Sequence, residues 1–445
     1  MDPSSTKQHA QNWRSLLSAP FFIALIAFLV RMAVLAIDIA SRSGPHPIFS
    51  GFETVQIATS LATGKGFSSP LGVASGPTAW LTPIFPLLLA GVFKVCGVGT
   101  LAAEIAIKIL ESAFSALVCV VLVALGRRSS LPSSGILSAW AWAFLPAAIT
   151  YSVYWIWDTS LSALCLVVLL WMSYTLADSK SWTAWAAYAA VWAFAALTNP
   201  ALLSALPGLS GFAIYQSRKL GRVSVRKLLL AAVVFLGCVS PWIIRNEIVF
   251  HGKVAFRSNF GLELWLGNNN QVADLWAPWL HPANDPQERK KLLQLGEVAY
   301  MNEKTRLALD FMTTHPAEVL QHSYLRFMTT WTGGENYLND LQTTLPLRFR
   351  VEMLFNCAFA LLAFAGLLRL SRARDSLVFP VAWILLVYPL VYYVTHPNPR
   401  YRSPIDPCLS FLAAYAVTEA FHWFRARNPQ PLRSPESQQE RSLPA

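Results

Sequence analysis

Residues 20–40, PFFIALIAFLVRMAVLAIDIA, form an almost entirely apolar run near the start of the chain. At about 1.5 Å per residue, a helix of this length crosses roughly 30 Å of hydrocarbon. The run lacks the shorter apolar core and the small-residue cleavage site of a signal peptide. It therefore predicts an uncleaved first membrane-spanning helix.

The composition places the whole chain in the same class. Of its 445 residues, 54% are hydrophobic and only 13% are charged, and the mean hydropathy is +0.42. A soluble domain carries about 25% charged residues, so the composition predicts a polytopic membrane protein. The excess of 35 basic over 24 acidic residues fits basic cytoplasmic loops and needs no nucleic acid partner. The cysteines lie singly in apolar stretches, which predicts buried thiols and neither disulfides nor a metal site.

Further apolar stretches predict an all-α integral membrane protein with about ten transmembrane helices. Segment 82–97, TPIFPLLLAGVFKVCG, is shorter and is interrupted by Pro83 and Pro86. A full crossing there would place the later basic loops outside, so this segment is predicted to be a re-entrant helix against protein or a water-filled cavity. The predicted full-length spans after the first are 102–125, 135–156, 158–176, 182–198, 200–216, 228–244, 350–368, 377–395 and 404–424.

The distribution of Lys and Arg predicts the orientation and the domains. Basic residues concentrate at 127–128, 218–227, 369–374 and 425–433, which the positive-inside rule places in the cytoplasm. Loops 41–80, 245–348 and 396–403 then face outward. The predicted organisation is a cytoplasmic N-terminus (1–19), a transmembrane bundle (20–244) that includes the outer loop 41–80, an outer subdomain (245–348), C-terminal transmembrane helices (349–424), and a disordered cytoplasmic tail (425–445).

The first outer loop carries an acidic residue close to the membrane. Residues 52–62 have a helical apolar stripe, which predicts a short amphipathic helix lying on the membrane surface. Glu53 falls in its first turn, where the helix dipole favours a negative charge. Two interpretations remain open from the residues alone. Glu53 either stabilises the start of that helix or takes part in chemistry.

Four stretches together resemble the type C (GT-C) glycosyltransferase superfamily, and especially bacterial relatives of the protein mannosyltransferases (glycosyltransferase family 39) and the lipid A aminoarabinose transferase. They are GFETVQIATSLATGKGFSSP at 51–70, GPTAWLTPIFPLLLAGVFKVCG at 76–97, SPWIIRNEIVFHGKVAFRSNFGLELWLGNN at 240–269 and HPNPRYRSPIDP at 396–407. The resemblance implies an outward-facing enzyme. It would move a sugar from a polyprenyl-phosphate donor to a lipid, glycan or protein acceptor.

The resemblance also points to acidic site residues. Many relatives have an Asp three residues before the position of Glu53, where this chain has Ser50. The base that takes a proton from the attacking acceptor is therefore predicted to be Glu53 alone, or Asp38 at the outer end of the first span. Asp158 matches an acid often found in the family, although an N-cap for the next helix explains it equally well.

Positive charge is needed to hold the departing phosphate, and Arg suits a bidentate grip better than Lys. Snorkelling to lipid headgroups is the alternative role for each basic residue. Glu263 and Asn268 lie in a stretch of amides and aromatics typical of sugar binding, or of an ordinary turn. The sequence neither requires nor excludes a divalent metal, and it suggests no specific ligands. The predicted substrate-binding residues are Lys65, Arg245, Asn246, Glu263, Asn268, His396, Arg400, Tyr401 and Arg402.

Two other functional classes remain open. A polysaccharide ligase or polymerase would share the many spans and the large outer loop, but it would use a diphosphate-linked donor. A lipid-sugar transporter would show paired, similarly interrupted spans in two halves, and no such symmetry is visible. The resemblance to bacterial members predicts a multi-pass protein of the inner membrane, with its active site facing the periplasm or the outside.

Overall fold

The computed structural model describes residues 17–42, 52–333 and 347–427. Within these ranges the chain consists of α-helices and short 3₁₀ turns, and it contains no β-strand beyond an isolated bridge between Ser68 and Pro77. The predicted all-α class is therefore confirmed. Most of the predicted cytoplasmic N-terminus and C-terminal tail lies outside the described residues.

Ten helices occupy the first part of the described chain. They are α1 (Pro20–Ser41), α2 (Phe52–Ala62), α3 (Ile84–Cys96), α4 (Leu101–Gly126), α5 (Ser133–Phe144), α6 (Pro146–Val153), α7 (Thr159–Ala177), α8 (Trp182–Thr198), α9 (Leu206–Lys219) and α10 (Val225–Phe250).

Nine further helices follow in the described residues. The outer subdomain contains α11 (Phe260–Gly267), α12 (Pro286–Leu295), α13 (Glu297–Thr314) and α14 (Pro316–Thr332). The C-terminal part contains α15 (Leu347–Arg372), α16 (Val378–Val387), α17 (Leu390–Val394), α18 (Pro399–Arg402) and α19 (Asp406–Arg427).

The described residues contain five helices that are long and apolar enough to cross a membrane: α1, α4, α7, α10 and the part of α15 from 350 to 372. Helices α5 and α6 meet at a bend of 50° and count as a sixth span if they cross together. The protein is thus a multi-pass membrane protein, while the total of about ten spans stays a prediction. Helix α3 has 13 residues, or about 20 Å, so it is too short for a full crossing.

Helix boundaries follow from local chemistry. Thr100 begins α4 by accepting a hydrogen bond from the Ala103 amide at 3.1 Å, which satisfies one of the free N–H groups of the first turn. Helix α3 ends at Gly97, whose φ of 88° is accessible to glycine at little cost. Inside the bundle, buried Arg31 of α1 donates to the Ser115 hydroxyl at 3.1 Å and to the Ala143 carbonyl at 3.1 Å. Helices α1, α4 and α5 are therefore joined by polar as well as apolar contacts.

A loop at residues 63–83, here called the roof loop, connects α2 to α3 and is held from two sides. Glu297 accepts hydrogen bonds from the Thr78 hydroxyl at 2.5 Å and from the Ala79 amide at 2.7 Å. Arg245 donates to the carbonyls of Thr78 at 2.7 Å and Phe67 at 3.1 Å. Burial raises the pKa of Glu297, although these hydrogen bonds act in the opposite direction. The outer subdomain and α10 thus fix the roof loop against the bundle.

Candidate active site

A cavity of about 790 Å³ lies between the bundle, the roof loop and the outer subdomain. Helix α2 contributes Glu53, and α3 contributes the apolar side chains of Phe85 and Pro86. The remaining walls come from the loop before α7, the start of the outer subdomain and the segment that joins α16 to α19. The ionisable side chains in its lining are Glu53, Asp158, Arg257, Glu263, His281, Tyr388, Tyr392, His396, Arg400 and Tyr401.

Glu53 occupies the first turn of α2, as predicted, and α2 has the predicted bounds. One carboxylate oxygen lies 3.6 Å from Nε2 of His281 in the outer subdomain. Nδ1 of His281 accepts the backbone N–H of Ala283 at 3.1 Å, so the neutral imidazole carries its proton on Nε2. That proton faces Glu53, and the pair connects the first outer loop to the outer subdomain across the cavity.

Two arginines line the cavity without a carboxylate within ion-pair distance in the described part of the chain. Arg400 lies 3.8 Å from the centre of the Trp157 ring and donates to the Tyr401 hydroxyl at 3.4 Å. Burial lowers the pKa of Arg400, but Tyr401 and the carboxylates of Glu53 and Asp158 together raise it above its ordinary value. Arg257 donates from Nε to the Trp80 carbonyl at 3.1 Å. Both guanidinium groups therefore have donors left for an anionic ligand.

Asp158 also lines the cavity and occupies the N-cap position of α7. Its side chain does not cap the helix by a backbone hydrogen bond. It accepts instead from the Ser162 hydroxyl at 3.1 Å. The simple capping role is therefore wrong, and the carboxylate belongs to the cavity wall.

Glu263, His396 and Trp276 form a compact group on another wall. Nε2 of His396 lies 2.7 Å from Oε2 of Glu263, while the Asn259 amide donates to Oε1 at 2.8 Å. The His396 ring stacks on Trp276 at 4.3 Å with an angle of 10°. Burial raises the pKa of Glu263, but the hydrogen bond with His396 and the charges of His281 and Arg257 outweigh it and lower the pKa to about 2. Glu263 is therefore an anion at any ordinary pH.

This lowered pKa gives a testable pH dependence of stability. A carboxylate whose pKa is lower in the folded protein stabilises the fold above its unfolded pKa of about 4.3 and loses that contribution as the pH falls towards 2. We expect Glu263→Gln to lower the free energy of unfolding by roughly 2–3 kcal/mol at neutral pH. The deficit should shrink as the pH falls from about 4 to 2. Tryptophan fluorescence during thermal unfolding in detergent measures both effects.

Glu303→Gln is the matched control, because Glu303 pairs with Lys291 on a partly exposed surface of the subdomain. A deficit for Glu263→Gln that is equal at every pH would contradict the assigned ionisation.

Several predicted site residues have partners elsewhere in the protein and do not line the cavity. Asp38 pairs with Arg42 and lies 3.4 Å from Lys108, so its charge is balanced within the outer ends of α1 and α4. Lys65 is an exposed residue of the roof loop. The geometry therefore does not support Asp38 as the base in place of Glu53. A carboxylate outside the cavity cannot reach a substrate within it.

The same correction applies to four residues predicted to bind substrate. Arg245 binds roof-loop carbonyls, and buried Asn246 donates to the Val254 carbonyl at 3.1 Å. Asn268 donates to the Leu264 and Val394 carbonyls, both at 2.8 Å. Arg402 is buried against Asp406 at 2.9 Å and Asn356 at 2.7 Å. All four use their polar groups to join segments of the fold.

Sequence reasoning missed Arg257, His281 and Trp276. Arg257 had a usable signal, because it is an arginine of a predicted outward-facing loop, as Arg400 is. It also lies in the same stretch as Glu263. His281 had none, since its contact with Glu53 joins residues that are far apart in sequence. No group of three or more His, Cys, Asp or Glu side chains in the described ranges is arranged to hold a metal ion.

Comparison with known proteins places this geometry in a known fold. Residues 79–244 match the sequence model of a family described as dolichyl-phosphate-mannose-protein mannosyltransferase. The structure matches archaeal oligosaccharyltransferase AglB from Archaeoglobus fulgidus in complex with an inhibitory peptide and a dolichol-phosphate, at 12% identity and a TM-score of 0.52, over 93% of this chain and 52% of that one. The family match and the structural likeness both agree with the resemblance to the GT-C superfamily that the sequence motifs indicate.

The apo form of the Archaeoglobus fulgidus oligosaccharyltransferase gives a similar result, with a TM-score of 0.55, 12% identity and coverage of 92% of this chain. The chain spans about half the length of these archaeal structures, at 52% of the matched chain. Curated protein sequences show no match to it. At such low identity the structural likeness shows a shared fold, and the predicted all-α fold class is confirmed.

Proposed function

We propose that this protein is a membrane glycosyltransferase that moves a sugar from a polyprenyl-phosphate donor to an extracytoplasmic acceptor. The observation that carries the proposal is the pair Arg257 and Arg400, partly buried cations that line one cavity and lack a carboxylate partner within ion-pair distance in the described residues. A cation that lines a partly enclosed cavity attracts a counter-charge, and a phosphate supplies one that guanidinium groups recognise well. The family description matched by residues 79–244 supports the same reaction class.

The proposed step balances without a cofactor. An acceptor hydroxyl or amine forms a bond to the anomeric carbon, while the bond from that carbon to the phosphate oxygen breaks and its electron pair goes to the phosphate. Glu53 takes the proton that the acceptor releases. Arg400 and Arg257 hold the phosphate as it departs. Asp158, which faces the same cations, is the alternative proton acceptor.

The apolar wall supports a lipid-linked donor. Phe85 and Pro86 of the short helix α3 lie in the cavity lining next to the charged groups, so an isoprenoid tail and its phosphate can both be accommodated. The basic loops predict that the cavity faces outward from a bacterial inner membrane. The AglB structure contains an inhibitory peptide and a dolichol-phosphate, and a polypeptide is accordingly one of the acceptor classes to test.

The test uses the purified protein in liposomes with radiolabelled polyprenyl-phosphate sugars and an extract of envelope proteins, lipids and glycans. We expect protein-dependent transfer of the label from the lipid to one acceptor class. Transfer only from diphosphate-linked oligosaccharides would favour a ligase or polymerase. Movement of the labelled lipid across the bilayer without transfer would favour a transporter.

A further inference from the structure

The group formed by Glu263, His396 and Trp276 contains an atom without a partner. Nδ1 of His396 is buried and makes no hydrogen bond in the described structure. His396, which is only 4% exposed, is one of the residues that line the cavity. A buried polar atom without a hydrogen bond costs roughly 1–3 kcal/mol. Such an atom in a binding cavity indicates a ligand that would satisfy it.

The hydrogen bond to Glu263 determines what kind of ligand fits. Because Oε2 of this anionic carboxylate lies 2.7 Å from Nε2, the neutral imidazole keeps its proton on Nε2 and presents a lone pair at Nδ1. The other oxygen of Glu263 already accepts from Asn259. The Glu263 carboxylate beside the ring carries a negative charge, which repels a phosphate. The free lone pair needs an O–H or N–H donor.

The position of His396 indicates where that donor belongs. His396 and Arg400 lie in the same short segment, and the His396 ring is 5.6 Å from that of Tyr401, which accepts from Arg400. A group bound at Nδ1 is therefore next to the proposed phosphate position. In a phosphate-linked sugar, the moiety next to the phosphate is the sugar ring.

The group is also held rigidly. Buried Arg326 of α14 donates to the carbonyls of Leu275 at 2.9 Å and Val394 at 3.0 Å, and also to that of Gly267. These residues are one or two positions from Trp276 and His396 and one helical turn from Glu263. Burial lowers the pKa of Arg326 to about 10, so it remains charged at neutral pH. Side chains fixed in this way can discriminate between hydroxyl positions.

We propose that Nδ1 of His396, oriented by Glu263, accepts a hydrogen bond from a hydroxyl group of the donor sugar and thereby contributes to sugar specificity. The proposal rests on the proposed function, since it assumes a lipid-phosphate sugar in this cavity. The group that His396 recognises is a hydroxyl of the sugar ring. A hydroxyl group of the acceptor is the competing donor for the same hydrogen bond to Nδ1.

The experiment measures binding without an acceptor. Purified protein is titrated with farnesyl phosphate and with farnesyl-phosphate mannose, glucose and galactose. We expect His396→Gln, which can keep the contact with Glu263 but lacks Nδ1, to weaken binding of the preferred sugar lipid roughly tenfold. Farnesyl phosphate binding should not change. His396→Asn, which can place an amide oxygen near the Nδ1 position, should weaken sugar binding less.

Singly deoxygenated sugars identify the hydroxyl, because removal of the recognised group should weaken wild-type binding and leave His396→Gln unaffected. His315→Gln, a change at an exposed histidine of the outer subdomain, is the matched control. Equal weakening of farnesyl phosphate and the sugar lipids would place His396 in the phosphate grip and overturn the proposal. Unchanged binding of the sugar lipids by His396→Gln would also overturn it. So would equal affinity of the wild-type protein for farnesyl phosphate and for every sugar lipid. Failure of wild type to bind even farnesyl phosphate would instead count against the proposed function.

Discussion

Replacement of Glu53 by glutamine is expected to lower the turnover of sugar transfer by about 10²–10⁴-fold. The amide keeps the size and the hydrogen-bonding capacity of the side chain near His281, but it cannot accept the proton that the acceptor releases. Because the phosphate still meets Arg257 and Arg400, donor affinity should change little. The measurement is the transfer rate at saturating donor, together with the binding of farnesyl phosphate.

Two variants sharpen this experiment. Glu303→Gln is an equivalent change on the partly exposed surface of the outer subdomain and should retain wild-type turnover. Asp158→Asn tests the second carboxylate near Arg400. If Glu53→Gln transfers sugar at the wild-type rate and Asp158→Asn does not, the base is Asp158 and the assignment of Glu53 is wrong.

Replacement of Arg400 by alanine is expected to reduce kcat/KM for transfer by about 10²–10³-fold. The guanidinium of Arg400 lies 3.8 Å from the Trp157 ring centre, which orients its remaining N–H groups within the cavity. Lysine preserves the charge but neither the planar fork nor the stacking, so Arg400→Lys should recover only part of the loss. Unlike the Glu53 variant, both changes should weaken farnesyl phosphate binding.

The matched control is Arg306→Lys, at an exposed position of α13. Arg257→Lys provides a second test within the cavity, because Arg257 also lacks a carboxylate partner there. Tight phosphate binding by Arg400→Ala would show that this arginine has a purely structural role against Trp157, and the phosphate site would then have to lie elsewhere.

The sequence was sufficient for features that depend on local periodicity. The apolar stripe of residues 52–62 predicted α2 with its observed bounds, and it placed Glu53 in the first turn. The long apolar runs predicted α1, α4, α7 and α10. The two prolines and the short length of segment 82–97 anticipated a helix, α3, that is too short to cross. In each case the pattern lies within a single element.

The sequence was insufficient where roles depend on contacts between distant segments. Arg245, Arg400 and Arg402 carry the same sequence signal, an outward-facing arginine beside a span. Only Arg400 turns towards the cavity, whereas Arg245 binds the roof loop and Arg402 pairs with Asp406. No local pattern distinguishes an arginine with a protein partner from one without, because that partner lies far away in the chain.

The attachment of the roof loop to Glu297 has a consequence for biosynthesis. Thr78 and Ala79 leave the ribosome more than 200 residues before the carboxylate that binds them, as the separation of 219 positions between Thr78 and Glu297 shows. Segments made early fold first only when their partners are already present. The roof loop therefore gains this attachment only after the subdomain from α11 to α14 has been made, whereas its contacts with Arg245 of α10 can form earlier. A chain arrested before that point would have its roof loop held from one side only.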